Sequence, residues 1–132
     1  MISTTRARTA YLQSARSTST PRAIEHQVLS RLTGALVAGE AGKTEDYPSY
    51  VRALSRNLEF WTILGADMAH PENGLPADLR AQIFYLFEFT RAHTNKILNA
   101  ENAPTAKPLI EVNNNIISGL RTRPSSQMAA AS

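Results

Sequence analysis

The chain has 132 residues, with 14 basic and 11 acidic side chains and no cysteine. This length is typical of one domain that buries a core without disulfides, and the lack of cysteine excludes disulfide bonds, thiol catalysis and cysteine-ligated metals. The first 20 residues are not of signal-peptide type, and no apolar run approaches the roughly 20 residues that cross a bilayer, so we expect a cytoplasmic protein.

Charge is distributed unevenly along the chain. All acidic residues lie between Glu25 and Glu111, whereas the two ends carry arginines and no acid. A folded nucleic-acid-binding domain normally presents a basic face, and the central segment here has more acidic than basic residues. Basic ends are usually solvated tails. A weak contact between these ends and RNA stays open as an alternative.

The N-terminal part leads into the first predicted helix. Residues 1–19 are rich in Ser, Thr and Arg, which predicts a mobile basic N-terminal segment, although Tyr11 and Leu12 could dock on the domain. Helix one is predicted to open at Pro21, with Thr20 as its N-cap, because proline is tolerated in the first turn. Glycines at 39 and 42 are predicted to end it.

Helix two is predicted from about Pro48 to Ala69. Its apolar seam has the 3-4 spacing of helices that pack nearly parallel to a neighbour. The seam consists of Val51, Leu54, Leu58, Trp61, Gly65 and Met68. Gly65 would let another backbone approach closely. We interpret Trp61 as a core anchor, with a place for its indole edge in a partner groove as the alternative.

Helix three is predicted from about Pro76 to Asn99. Its expected core face consists of Leu79, Ile83, Leu86, Phe87, Thr90, Thr94, Ile97 and Leu98. A second apolar stripe of Tyr85, Phe89 and Ala92 lies opposite much of that face. Either helix three is a central helix packed on several sides, or its second stripe receives a partner's helix.

Helix four, from about Pro108 to Leu120, completes the fold. It places Leu109, Val112, Ile116 and Leu120 on one face, and residues 122–132 are predicted to be a disordered tail. Amphipathic helices with short connections predict an all-α fold, a small antiparallel bundle of three to four helices with disordered termini. The helical domain is predicted over residues 20–121.

No pattern in the sequence indicates catalysis. The three histidines, at 26, 70 and 93, are far apart, and none forms a metal-binding pair with helical spacing. There is neither a glycine-rich phosphate loop nor a nucleophile motif. We therefore expect a protein that is not an enzyme and that has no cofactor and no metal site.

Four short strings carry a family resemblance. They are TPRAIE at 20–25, NLEFWT at 57–62, LPADLR at 75–80 and LIEVNNNIISGL at 109–120. Together, and in this order, they resemble the FlaF family of flagellar biosynthesis regulators from alphaproteobacteria, over about Tyr11 to Leu120. The resemblance implies a cytoplasmic factor that supports flagellin synthesis and secretion. It also implies a partner regulator, FlbT, which controls flagellin translation.

The strings also mark residues that we expect to be scaffold first. These residues are Pro21, Glu25, Trp61, Leu79, Arg80 and Asn113. Arg80 forms either a weak surface ion pair or a bidentate clamp on a carboxylate, for which Glu25 is the candidate. Asn113 either faces solvent or faces the interior, where a hydrogen bond would fix the register of helix four.

Apolar side chains outside the core faces suggest a binding surface. Phe60 and Ile63 project away from the seam of helix two, and with Tyr85 and Phe89 they are the predicted partner-binding residues. A groove formed by them would bind flagellin helices in a chaperone-like manner. The alternative is a post-transcriptional regulator that acts through an FlbT-like partner on flagellin mRNA translation. A homodimer built through helix two is a third interpretation.

Overall fold

A computed structural model describes residues 21–122 of the chain, with side chains described from His26 to Gly119. Within this range the chain forms four α-helices. They are α1 (Pro21–Ala41), α2 (Tyr47–Ala69), α3 (Ala77–Asn99) and α4 (Lys107–Thr122). The predicted all-α class is confirmed. The predicted N-cap Thr20, the N-terminal segment 1–19 and the tail from 123 lie outside the described residues.

The start of α2 follows local capping chemistry. Asp46 precedes α2, and its carboxylate accepts a hydrogen bond from the backbone N–H of Ser49 at 3.2 Å. This bond satisfies one of the unpaired N–H groups in the first turn, and Pro48 occupies a position where no N–H is required. Helix α4 is 16 residues long and extends past the predicted end at Leu120.

The helices pack in the order α4, α1, α2, α3. Helix α2 packs extensively on both α1 and α3, α1 packs extensively on α4, and α3 and α4 touch at only a few positions. The interpretation of α3 as a central helix is therefore wrong: α1 and α2 form the central pair, and α3 packs mainly on α2. Much of α3 is consequently free of α4.

One end of the bundle holds the main hydrophobic core. This is the end where α1 and α3 finish and α2 and α4 begin. Its buried members are Leu36, Tyr50, Ala53, Leu54, Ile97, Ala106 and Leu109. At the other end, several predicted core residues of α3 are only half-buried, among them Ile83, Leu86 and Phe87. The first half of α3 is thus less completely covered than its second half.

Two glycines allow close packing on either side of α2. A Cβ atom on Gly39 would lie 3.1 Å from the Cα atom of Tyr50, so the α1 and α2 backbones approach closely there. A Cβ atom on Gly65 would lie 2.6 Å from the Phe87 ring. An aromatic side chain of α3, rather than the backbone we expected, therefore fills the space that Gly65 leaves.

Matched glycine substitutions test the α2–α3 contact. Gly65→Ala and Gly34→Ala each gain up to about 1 kcal/mol of helix propensity, but only the new methyl at 65 overlaps a neighbour, since nothing lies within 4 Å of position 34. We expect Gly34→Ala to stabilise the fold and Gly65→Ala to be less stable than Gly34→Ala by about 1–3 kcal/mol, the usual cost of overpacking. Urea unfolding measures both variants. Equal stabilisation by the two would contradict the described contact.

Candidate functional site

A buried hydrogen-bond network joins α4 to α2. Asn113 is fully buried, and its Oδ1 atom accepts a hydrogen bond from Nε1 of Trp61 at 3.0 Å. Its Nδ2 atom donates to Oδ1 of Asn57 at 2.8 Å. Both partners on α2 are also fully buried. Of the two alternatives for Asn113, the structure therefore shows the interior position, and the prediction of Trp61 as a core anchor is confirmed.

Each of the four helices contributes a buried polar residue to the bundle interior. The set consists of Thr33, Asn57, Thr90, Thr94 and Asn113. The Asn57 amide nitrogen and the hydroxyls of Thr90 and Thr94 have no hydrogen-bond partner among the described atoms. Buried polar groups are costly unless they are paired, so a slip of α4 by one turn would leave the Trp61 indole unpaired as well. The network thus favours a single register.

A second polar cluster fastens the well-packed end of the bundle. The carboxylate of Glu40 on α1 accepts hydrogen bonds from the Tyr50 hydroxyl at 2.6 Å and from the backbone N–H of Ala106 at 2.9 Å. Lys43 also donates to it. Because Ala106 directly precedes α4, this negative charge lies at the positive end of that helix. One carboxylate therefore joins the end of α1 to the starts of α2 and α4.

The surroundings of Glu40 determine its ionisation. Burial alone would raise its pKa, but hydrogen bonds from Lys43, Tyr50 and the backbone of Ala106 outweigh burial and hold the pKa below the ordinary value of 4.5. Burial, and then the hydrogen bond to Glu40, raise the pKa of Tyr50. Tyr50 therefore remains a hydrogen-bond donor at neutral pH while Glu40 remains an acceptor.

Arg80 contacts backbone oxygens at the end of α2. Its Nε atom donates to the carbonyl of Met68 at 3.0 Å, and its Nη2 atom donates to the carbonyl of His70 at 3.3 Å. These carbonyls lie where a helix leaves its last oxygens without intrahelical partners. In the described contacts, Arg80 thus closes the α2–α3 turn rather than clamping a carboxylate. The side chain of its candidate partner, Glu25, lies outside the described residues.

The predicted partner-binding residues do not form one exposed patch. Tyr85 is 68% exposed, whereas Phe60, Ile63 and Phe89 are half-buried. Phe89 packs against the hydrophobic core and stacks on His93 with the ring centres 5.6 Å apart. Phe60 meets Trp61 edge to face, with the ring centres 6.2 Å apart. Of the four, only Tyr85 is a free surface side chain.

Exposed apolar residues surround Tyr85 on the first half of α3. Phe84 is 37% exposed, and Ala81 and Ala77 are exposed one turn and two turns earlier. We call this set of Ala77, Ala81, Phe84 and Tyr85 the Tyr85 face. The ring of Phe84 packs edge to face on Phe87, which itself contacts Gly65. Phe84 therefore connects the Tyr85 face, through Phe87, to the contact between α3 and α2.

Sequence reasoning missed several residues of these sites. Tyr50 and Asn57 lie on the buried face of α2. The predicted seam contained their neighbours Val51 and Leu58 instead, and these two are half-buried. A 4-3-4 spacing also connects Tyr50, Leu54, Asn57 and Trp61. A seam predicted without the requirement that every member be apolar would therefore have included Tyr50 and Asn57. Nothing in the sequence singles out Glu40, because two of its three partners, Tyr50 and Ala106, lie 10 and 66 residues away.

The remaining expected scaffold residues keep structural positions. Pro21 is the first residue of α1, as predicted, and Leu79 is half-buried in the first turn of α3. Among the described residues, no group of His, Asp and Glu side chains could hold a metal ion. No described helix is both long and apolar enough to cross a membrane.

Comparison with protein families identifies the chain. Residues 7–120 match the family model described as flagellar protein FlaF. The chain belongs to the FlaF family. No curated protein and no solved structure matches it significantly. The resemblance drawn from the four strings is thus confirmed, and the family is a flagellar one that is not known for enzymatic activity.

Three of the four FlaF strings now have structural positions, and the side chains of the fourth, TPRAIE, lie outside the described residues. NLEFWT supplies Asn57 and Trp61, and LIEVNNNIISGL supplies Asn113, so two strings that are far apart in sequence meet in one buried network. LPADLR supplies Arg80, which closes the turn before α3. In this FlaF chain, each of these three strings therefore supplies a residue that holds the bundle together, whereas the Tyr85 face lies mostly outside the strings.

Substitution of Asn113 tests the buried network. Asn113→Leu leaves the Trp61 N–H and the Asn57 carbonyl oxygen unpaired, so we expect the free energy of unfolding to fall by about 2–4 kcal/mol. The neighbouring Asn114 is exposed, and Asn114→Leu should change stability by no more than about 0.5 kcal/mol. Urea unfolding followed by the fluorescence of the single tryptophan measures both. Similar losses in the two variants would contradict the network.

The pH dependence of stability tests the Glu40 cluster. Because the pKa of folded Glu40 lies below 4.5, its ionised form stabilises the fold fully above that value, and the stabilisation is lost as pH falls through the folded pKa. We expect Glu40→Gln to lower the unfolding free energy at pH 7 by about 1–2 kcal/mol. The difference from the natural chain should shrink below pH 4.5. Glu45→Gln, at an exposed position, is the control, and a pH-independent effect of Glu40→Gln would contradict this role.

Proposed function

We propose that this FlaF protein is a cytoplasmic, chaperone-like factor that binds an amphipathic helix of flagellin on the Tyr85 face. Family membership supports a flagellar role. The observation that carries the binding proposal is the exposure of Tyr85 and Phe84 on a helix that α4 scarcely covers. An amphipathic helix commonly binds such a surface with its own apolar stripe.

The composition of the Tyr85 face fits an apolar partner. Between Ala77 and Tyr85, the exposed positions include a single charged residue, Asp78. Aromatic side chains supply much of the binding energy in protein interfaces, because they bury a large area at a small entropic cost. Flagellin ends are amphipathic helices that expose apolar stripes before assembly. Covering one of them would prevent aggregation until export.

Phe60, Ile63 and Phe89 have a supporting role in this proposal. Their half-burial leaves little of each side chain for a partner, and Phe89 contributes to the core. In this proposal they are scaffold residues rather than contact residues. The partner surface is therefore smaller than the sequence suggested, and we expect moderate affinity, since binding also orders the flagellin segment.

A regulatory role through an FlbT-like partner is the second candidate, favoured by the same exposed face. In that case the Tyr85 face would bind the regulator of flagellin mRNA translation instead of flagellin. Binding measured with each purified protein separates the two. A direct RNA contact through the basic ends would weaken steeply as salt rises, whereas an apolar contact would change little.

Substitution of Tyr85 tests the proposal. Tyr85→Asp places a charge in the centre of the proposed interface, so we expect at least a tenfold loss of flagellin affinity, about 1.4 kcal/mol, with unchanged helicity. Tyr47→Asp is the matched control, because Tyr47 is 49% exposed at the opposite end of the bundle. Titration calorimetry with purified flagellin measures both.

Two results would overturn the flagellin proposal. One is unchanged flagellin binding by a folded Tyr85→Asp protein. The other is an equal loss of affinity in the Tyr47→Asp control. Binding to the FlbT-like regulator that is lost only in Tyr85→Asp would instead support the second candidate.

A further inference from the structure

The Tyr85 face lies at the same height in the bundle as the start of α1. Gly39 of α1 lies opposite Tyr50 and Ala53 of α2. The two helices are antiparallel, and Pro21 precedes Gly39 by 18 residues, which is about 27 Å of helix. Pro21 therefore lies at about the level of Ala69. Gly65 of α2 is opposite Phe87 of α3, which places Tyr85 at the level of residue 67. Pro21 and Tyr85 therefore differ in height by only about 3–4 Å.

The residues that precede α1 are long enough to reach this face. We call residues 1–20 the N-terminal arm. Helices α1 and α3 flank α2, so their axes are separated by at most two interhelical distances, about 20 Å. The nine residues from Leu12 to Pro21 span up to about 30 Å when extended. The apolar pair Tyr11 and Leu12 can therefore reach Tyr85 without any rearrangement of the helices.

Charge complementarity favours the arm as an occupant. The arm carries Arg6, Arg8 and Arg16 and no acidic residue. Asp78, next to Ala77 of the Tyr85 face, is exposed in the first turn of α3, and Glu72 is exposed in the turn that precedes this helix. The nearby basic side chain of Arg80 is engaged with the carbonyls of the α2 end. A basic segment with one apolar pair thus fits an apolar face with an acidic border.

The family match extends into the arm. The match to FlaF covers residues 7–120, so it includes residues 7–20 of the arm as well as the described helices. Most of the arm therefore lies within the region by which the family is recognised.

We propose that the N-terminal arm docks on the Tyr85 face of its own chain through Tyr11 and Leu12, and that it is displaced when a partner helix binds there. The competition with a partner rests on the proposed function, whereas the docking itself does not. A docked arm would cover the apolar face in the absence of flagellin. The apparent affinity for a partner would then equal the intrinsic affinity multiplied by the fraction of molecules whose arm is undocked.

Disulfide trapping in the full chain tests the docking without any partner. The natural chain has no cysteine, so paired substitutions report cleanly. Gln13→Cys and Gln82→Cys lie beside the proposed contact and leave Tyr11, Leu12 and Tyr85 in place. In a glutathione buffer, we expect this pair to form an intrachain disulfide at least ten times faster than Gln13→Cys with Asn95→Cys. Positions 82 and 95 are both exposed and lie about 20 Å apart on α3.

Tyr11→Asp and Leu12→Asp can be added to the protein with Gln13→Cys and Gln82→Cys. We expect its disulfide to form then no faster than that of the control pair, Gln13→Cys with Asn95→Cys. Equal rates for the two pairs would overturn the docking. A disulfide found only between two chains would also overturn it, since a second copy would then cover the face. Failure of this test leaves the proposed function intact, because no flagellin is present.

The competition has a separate readout. In the natural chain without cysteines, Tyr11→Asp with Leu12→Asp should bind purified flagellin several-fold more tightly, because the docked state no longer competes. Arg6→Gln is a control that alters the arm outside the apolar pair and should have a smaller effect. Unchanged or weaker flagellin binding by the Tyr11→Asp, Leu12→Asp protein would contradict displacement.

Discussion

The hydrogen bonds of Asn113 are the constraint on which the rest of the structure depends. Helix α4 packs on α1 but touches α3 at only a few positions, so its register relative to α2 is fixed by directional contacts with Trp61 and Asn57. Apolar packing alone tolerates sliding, whereas an unpaired buried indole or amide does not. Glu40 supplies a second directional contact at the start of α4. Together the two clusters hold α4 in place and leave α3 largely uncovered by it.

Much of the fold follows from the sequence because helix signals are local. The periodicity of apolar residues, together with the prolines at 21, 48, 76 and 108, predicts four helices whose observed ends differ by only a few residues from those expected. The buried position of Trp61 also follows from its place in the seam. The two interpretations of Asn113 could not be separated, because its partners lie 52 and 56 residues away.

The candidate surface was predicted only in part, and the reason is geometric. A helical pattern shows which residues share a face, but it does not show which neighbouring helix covers that face. Phe89 was expected at the surface and packs on the core, whereas Phe84 was not chosen and is exposed. The deciding fact is the scarcity of contacts between α3 and α4, which depends on helix order and not on local sequence. The Glu40 cluster was invisible for the same reason.

The structure separates residues that hold the bundle from residues that are free to bind. Three of the FlaF strings and Glu40 supply the first group, and the Tyr85 face supplies the second. Hydrogen exchange of the full chain with and without purified flagellin tests this separation most directly. The account predicts slower exchange for amides of residues 77–88 on flagellin binding and little change across residues 107–115. Protection confined to α4 or spread evenly over the bundle would contradict it.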